Sequence, residues 1–375
     1  MGCYMNITIL CKVVDNFGDI GVVYRMAKRL LEMEKEGDIS KKLTLNIVVD
    51  NLAAFSQIHS SVKENMSFQC VDNMNIYNWN DYDYCYNAFS AGDGELFGVV
   101  LECFQCGRPD WMEKILFEDK LQRTVHIIMI DYLTAEKYAE DFHLLDSLTR
   151  SAKVQKVNFM PGFTDKTGGL VIGNEWQHWI EKGSRNKAGP AFVFTYDRNW
   201  NSLAGALKEA GIKAVVAQGK GKESFIQSCN ASGYKNYQEL PFVNQEEWDK
   251  EMENASVLFI RGEESMSRAC LSGIPFVWHA YPQSDEYQLV KVNALLDRME
   301  RHFNSKDFEI IRQVWLDFNS PESEVNEEDF HVHCRNFVES IDKTAYGFED
   351  FARSLLKNGD LCNNLMTFIN KKGIL

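Results

Sequence analysis

The stretch Val257-Leu-Phe-Ile-Arg-Gly-Glu-Glu-Ser-Met-Ser-Arg-Ala-Cys-Leu-Ser-Gly-Ile-Pro-Phe-Val-Trp-His-Ala-Tyr-Pro-Gln283 decides how this chain folds. Val257 to Ile260 form an unbroken apolar run, the mark of a strand covered on both faces. Arg261-Gly262 interrupts it. Glu263, Glu264 and Ser265 then stand among the first residues of a helix, where acids and hydroxyls are favoured. Gly273 and Pro275 punctuate its end. Phe276 to Trp278 read as the next strand, with Tyr281-Pro282-Gln283 in the loop beyond. A strand, helix and strand in this order imply a parallel sheet. Ligands of such sheets bind beyond the carboxyl ends of the strands. The loop Gly262 to Ser265 lies there, with free helix amides that can hold a phosphate. Its two glutamates suit ribose or sugar hydroxyls, leaving the backbone for phosphates. Acids that merely complement the helix dipole are an equal reading of the spacing alone.

Working outward, 375 residues are long for one hydrophobic core, so two domains are expected. Hydrophobic residues make up 45% and charged residues 25%, an ordinary globular balance. A formal charge of −14 argues against a general nucleic-acid binder and suits a cationic partner. No apolar run reaches membrane-spanning length. Met1-Gly2-Cys3 is followed by no signal-peptide pattern, and a cytoplasmic protein is expected. The ten cysteines are scattered and read as small core residues of a reducing compartment. Cys103-Phe-Gln-Cys106 has neither a second pair for zinc nor a thioredoxin-like context. His331 and His333 have no partner ligands nearby in sequence.

In the first half, Asn6 to Val14 read as a buried strand. Asp15-Asn-Phe-Gly-Asp19-Ile-Gly21 is a tight turn, and a helix follows from about Ile20 to Glu36. Val22, Val23, Met26, Ala27, Leu30 and Leu31 give it an apolar stripe. The turn carries two acids four residues apart. It lacks the GxGxxG and Walker patterns, so dehydrogenase and P-loop readings lose their support. Leu43 to Val49 read as a second strand, Tyr82 to Phe89 as a third and Val125 to Ile130 as a further one. Asp81-Tyr-Asp83 resembles a metal-binding DxD but would open a strand, the wrong end for a site. Thr134 is placed to cap a helix. Phe159 to Leu170 and Glu181 to Pro190 read as the hinge between two halves.

The second half restarts with strands at Ala191 to Thr195 and Ile212 to Ala217, and a helix at Ser202 to Ala210. Beyond Gln288 helices are expected at Leu289–Phe303, Asp307–Phe318, Glu328–Ser340 and Phe348–Ile369. Tyr196 and Phe242 are aromatic residues at strand ends that could pack a base, and Gln245 could pair with a base edge. Residues 1–180 are expected as an acceptor domain and 190–345 as a nucleotide-sugar domain, with helix 348–375 packing back on the first.

Asp15-Asn-Phe-Gly-Asp-Ile-Gly21, Phe163-Thr-Asp-Lys-Thr-Gly-Gly-Leu170, Leu240-Pro-Phe-Val243, Arg261-Gly-Glu-Glu-Ser265 and His279-Ala-Tyr-Pro-Gln283 resemble the EarP family, protein-arginine rhamnosyltransferases acting on elongation factor P. The resemblance runs from about Leu10 to Gln283. It implies an α/β protein of GT-B type, two Rossmann-like doubly wound domains facing across a cleft. It implies an inverting enzyme that uses dTDP-β-L-rhamnose, with no cofactor and no metal. The implied partner is the N-terminal, KOW-like domain of elongation factor P, with no nucleic acid or membrane involved.

Residue by residue, Asp19 corresponds to the general base and Asp15 to its companion, with Glu263 the third catalytic position. Asn16, Phe17 and Gly18 fall in the acceptor-side loop. Phe242 and Gln245 match base-binding positions and Tyr196 an aromatic at that pocket. Glu264 and Ser265 match ribose and diphosphate contacts, with Tyr281 and Gln283 beside them. Three departures stand out. The usual acid after the third strand stands as Asn87, the usual Glu before Tyr132 is Asp131, and the second acid of the Arg-Gly-Glu motif is Glu264.

The implied chemistry suits these residues. A guanidinium with a pKa above about 12 is a poor nucleophile, and paired carboxylates can hold it. Asp19 can take its proton as the bond to the sugar forms. Asp19 also stands where a helix-capping Asp would stand. The rival readings are another GT-B sugar-nucleotide enzyme, such as a small-molecule glycosyltransferase or a UDP-sugar 2-epimerase, and a non-catalytic acidic binding module.

Overall fold

A computed structural model describes residues 4–14, 17–119, 121–176, 186–283 and 285–374. The chain divides into two compact units, Met1–Gly173 with Asn358–Leu375, and Asn174–Lys357.

The apolar runs of the first half become β1 (Tyr4–Cys11), β2 (Lys42–Val49), β3 (Phe68–Val71), β4 (Met74–Asn78), β5 (Val99–Cys103), β6 (Val125–Ile130), β7 (Asp146–Ser147) and β8 (Val154–Phe159). They line up as β3-β4-β2-β1-β5-β6-β8-β7. Pairing is parallel except for β3 with β4 and β7 with β8 at the two edges. Between strands run α1 (Gly18–Glu36), α2 (Leu52–Ile58), α3 (Tyr82–Ser90), α4 (Asp110–Phe117) and α5 (Tyr138–Phe142).

Of the stripe on α1, Val23, Met26, Ala27 and Leu30 are fully buried, as is Ile20, while Val22 and Leu31 are partly buried against the same core. They join Ile7, Ile9, Ile47 and Leu101 of the strands in one core. The C-terminal helix Leu361–Lys371 lays Leu361, Cys362, Leu365 and Ile369 into the same core. Its start is tied down by the segment Phe163–Leu170. Asn358 Nδ2 donates to Phe163 O at 2.7 Å, and Leu361 N to Leu170 O at 2.7 Å. Asp360 accepts from Ile172 N at 2.9 Å and from Arg29 Nε of α1 at 3.0 Å. The opposite face of the sheet is covered by Phe89 of α3 and Trp111 of α4 over Leu10, Val48 and Val100.

The second unit contains β9 (Ala191–Val193), β10 (Ala214–Ala217), β11 (Tyr237–Leu240), β12 (Val257–Arg261) and β13 (Phe276–His279), ordered β11-β10-β9-β12-β13 and all parallel. Among its described residues the helices are α6 (Asn201–Glu209), α7 (Lys222–Ser232), α8 (Gln245–Glu253), α9 (Glu263–Ser272), α10 (Tyr287–Met299), α11 (Ser305–Asn319), α12 (Glu327–Glu339) and α13 (Ile341–Leu356). The unit β12–α9–β13 is the strand, helix and strand expected from Val257 to Gln283.

Five expectations are corrected. Tyr82 to Phe89 are helix, not strand. Asp81 caps α3 by accepting from Tyr84 N at 3.2 Å, and Asn87 lies mid-helix rather than after a strand. Asp81 and Asp83 thus sit at a helix start, and Asp81 also binds Ser67. The strand in that region is β5, whose run is interrupted by Glu102. Glu102 is buried, bonded to Arg108 Nη1 at 2.5 Å and Lys156 Nζ at 3.3 Å, which offsets the cost of a charge in the core. Phe348–Ile369 is two helices broken at Gly359 (φ +83°). Thr134 does not cap α5, whose N-cap Lys137 makes no side-chain bond; its hydroxyl accepts from Glu136 N at 3.1 Å instead.

Candidate functional site

In the first unit the described candidate residues, Phe17, Gly18 and Asp19, follow the end of β1. Asp15 and Asn16 lie outside the described residues. Phe17 is the N-cap of α1 and offers no side-chain cap, and Gly18 opens the helix. Asp19 is therefore inside the first turn, not capping it. Its Oδ2 accepts from Val14 N at 2.8 Å, and the residue is only 3% exposed. Asp50 performs the same service one residue earlier, accepting from Val13 N at 2.8 Å. Two carboxylates thus hold consecutive amides of the loop after β1. Beneath lie Cys11, Cys103 and Cys106, all reduced. Burial pushes the Cys103 thiol well above its ordinary value, with Cys106, Glu102 and Asp19 adding to it, and Cys106 is raised to about 12, first by burial. Neutral thiols of this kind are packing, not nucleophiles.

In the second unit the candidate residues follow the ends of β9, β11, β12 and β13. Gly262 has φ +78°, a conformation side chains resist, and it is the N-cap residue of α9 without a side-chain cap. Gly262 therefore offers the first turn of α9 no side-chain cap. Glu263 pairs with Lys291 Nζ at 3.4 Å and Glu264 with Arg268 Nε at 3.7 Å. Ser265 is buried in the first turn. Phe242 is 43% exposed on the loop after β11. Gln245 is buried at the first turn of α8, whose cap Asn244 accepts from Glu247 N at 2.9 Å.

The Tyr281–Gln283 loop is held by a chain of bonds. Ala280 N donates to Asn319 Oδ1 at 2.8 Å, Asn319 Nδ2 to Trp278 O at 2.8 Å, and Gln283 N to Gln288 Oε1 at 3.0 Å. His279 Nδ1 accepts from Tyr196 N at 3.2 Å, so its proton is on Nε2. Burial, with Arg198 and Arg261 nearby, lowers its pKa to about 3.

Around this loop the aromatic rings organise a cation. The Arg261 guanidinium lies 4.6 Å from the Tyr196 ring and 4.5 Å from the Phe194 ring. Tyr196 in turn meets Tyr281 edge-on at 5.5 Å. Arg261 is 9% exposed and its buried Nε has no hydrogen-bond partner. A Cβ on Gly219 would come within 2.7 Å of the Phe194 ring and 3.3 Å of Arg261 Nη2, so the loop after β10 needs a glycine to approach. Lys220 of that loop stands 5.7 Å from the Tyr281 ring. A buried cation next to a helix start whose cap residue is a glycine is an arrangement that suits an anion.

Residues 7–370 match the family model described as Elongation-Factor P (EF-P) rhamnosyltransferase EarP. The chain belongs to the EarP family. It is an enzyme, a glycosyltransferase of the protein-arginine rhamnosyltransferase type. The EarP relatives include the protein-arginine rhamnosyltransferase of Shewanella oneidensis, 26% identical, with 97% of each chain covered. That of Pseudomonas aeruginosa is 26% identical over 83% of this chain and 86% of its own. A solved structure that addresses EarP-mediated arginine glycosylation of translation elongation factor EF-P superposes with TM-score 0.58 at 18% identity, covering 97% of this chain and 98% of that one. A Phytolacca americana UGT2 complexed with UDP-2-fluoro-glucose and pterostilbene gives TM-score 0.56 at 10% identity, over 99% and 100% of the two chains. The fold is GT-B, as in EarP and these glycosyltransferases. Among the described residues no helix is long and apolar enough to cross a membrane.

The packing of Arg261 was not legible in the sequence, where it stands as the break in an apolar run and as the first residue of the Arg-Gly-Glu-Glu-Ser motif, with no role of its own. The available signal was the pairing of an arginine at a strand end with Phe194 and Tyr196 at the neighbouring strand end. Lys220, between Gly219 and Gly221, carried the flexible-loop signal and was passed over.

Proposed function

We propose that the chain transfers L-rhamnose from dTDP-β-L-rhamnose to one arginine guanidinium of elongation factor P, on its N-terminal KOW-like domain, inverting the sugar carbon and using no metal. The observation that carries this reading is the held carboxylate of Asp19, fixed at the carboxyl end of β1 by Val14 N. A base positioned by the backbone is what a nitrogen nucleophile with a pKa above about 12 requires. The guanidinium nitrogen bonds to the anomeric carbon as the carbon–oxygen bond to the diphosphate breaks. The nitrogen's proton goes to Asp19 as its lone pair is committed to the new bond. Asp15 shares the grip on the guanidinium.

The electron pair of the broken bond leaves on dTDP. Its charge is met by the α9 amides at Ser265 and by Arg261. Glu263 and Glu264 take sugar and ribose hydroxyls, Phe242 and Gln245 the thymine. Tyr196, Tyr281 and Gln283 frame the diphosphate, Tyr196 by holding Arg261. The test is the intact mass of elongation factor P after incubation with the chain. A single deoxyhexose adduct on one arginine, formed with dTDP-rhamnose and not with UDP sugars, is expected. Transfer from UDP sugars, or donor turnover with no adduct on the protein, refutes it in favour of another GT-B reaction.

A further inference from the structure

The turn that follows β5 is strained. Phe104 (φ +57°) and Gln105 (φ +52°) are consecutive non-glycine residues in the left-handed region, which L side chains resist. Strain of this kind persists only where surrounding contacts over-determine it, and it concentrates at functional sites. Here the contacts are explicit. Phe104 N donates to Ile130 O at 2.7 Å and Cys106 N to Cys103 O at 3.1 Å, while Cys106 Sγ approaches Leu10 O at 3.6 Å. The turn is thereby pinned to the ends of β1 and β6 at once.

The strain has two products, both on the neighbouring strand end. Gln105 Nε2 donates to Asp131 Oδ2 at 3.0 Å, while Asp131 Oδ1 accepts from Tyr132 N at 2.7 Å. Phe104, only 8% exposed, lies stacked against Tyr132, centroids 4.8 Å apart and planes at 26°. Tyr132 itself is 37% exposed. An extended turn would aim Phe104 and Gln105 elsewhere and leave Tyr132 and Asp131 unsupported.

Tyr132 stands two strands from the loop of Asp19, since β5 pairs with β1 on one side and β6 on the other. At about 4.8 Å per strand that is roughly 10 Å, the span of an arginine side chain with its own backbone. An aromatic face accepts peptide planes, methylene stems and cations alike. Glu136 lies close by, its amide on Thr134 Oγ1, and keeps the neighbourhood acidic.

We propose that Tyr132, braced by Phe104 and fixed through Asp131 and Gln105, is the platform on which the acceptor chain rests beside its arginine, and that it makes the enzyme prefer protein-borne arginine. This rests on the proposed transfer to elongation factor P. Tyr132→Ala is expected to raise the KM for elongation factor P roughly tenfold, with kcat changed less than threefold and the dissociation constant of dTDP unchanged. Tyr132→Phe restores the wild-type KM. Tyr132→Leu, which keeps bulk over Phe104 but no aromatic face, behaves as Tyr132→Ala. An acceptor KM within twofold of wild type in both Tyr132→Ala and Tyr132→Leu overturns the platform alone. So does a parallel loss of dTDP affinity, the sign of a structural role. If the wild-type chain transfers nothing to elongation factor P, the proposed reaction falls, and the platform with it.

Discussion

Asp19→Asn separates chemistry from architecture. Asparagine keeps a carbonyl that can accept from Val14 N, now bonded to the carboxylate at 2.8 Å. What is lost is the charge: a charge-assisted bond becomes a neutral one, and a favourable anion leaves the first turn of α1. Together these cost about 1–2 kcal/mol, a fall in melting temperature of about 5 °C. If Asp19 is the base proposed above, the catalytic loss is larger. A positioned base contributes about 10²–10⁴ in rate, or about 3–5 kcal/mol in the barrier, and the amide cannot take a proton. Single-turnover transfer to elongation factor P, followed by intact mass, should therefore slow by two to four orders of magnitude. Calorimetric dTDP affinity should stay within twofold, because the α9 and Arg261 groups are untouched. Turnover per folded molecule within tenfold of wild type would refute the base assignment and leave Asp19 as a loop fastener.

Arg261→Leu keeps the apolar filling between Phe194 and Tyr196 but removes the charge; dTDP affinity should fall about ten- to a hundredfold while thymidine affinity holds, and Arg261→Lys should recover little because an ammonium does not stack between two rings. Asp360→Asn leaves the acceptor for Ile172 N but breaks the ion pair to Arg29; about 3 kcal/mol of stability should be lost in a denaturant titration, toward the low side because Glu32 and Glu36 also face Arg29 at 3.4 Å. The folded pKa of His279, about 3, and that of His143, which closes α5 and accepts from Met160 N at 3.1 Å, about 4, lie below the unfolded value near 6.5, both through burial first. The unfolded chain therefore binds protons the folded one does not, and stability should drop as pH falls below about 6.5 by up to about 1.4 kcal/mol per unit for each histidine. His279→Asn, whose side-chain oxygen can replace Nδ1 as acceptor for Tyr196 N, should remove one such increment from urea midpoints measured between pH 4.5 and 6.5.

What the sequence disclosed and what it withheld follow one physical rule. Val257 to Ile260 needed no neighbour to be read, because a strand buried on both faces is uniformly apolar, and it is fully buried in the structure. Glu263 to Ser265 were legible because helix starts have chemical preferences of their own. Tyr82, Tyr84 and Tyr86 misled because aromatic residues at every second position imitate a strand. The same segment also spaces Cys85 and Phe89 four apart, and those are the two that are buried, behind an Asp81 cap that chose the helix. Glu102 hid β5 because a carboxylate is admitted to a core only by cations that arrive from elsewhere, Arg108 from the following loop and Lys156 from β8. Arg261 was opaque for the same reason, since its meaning lies in rings contributed from the end of β9. Charges whose partners are distant in sequence thus read as interruptions, although in this fold Arg261 and Glu102 are each held by groups brought in from other strands and loops.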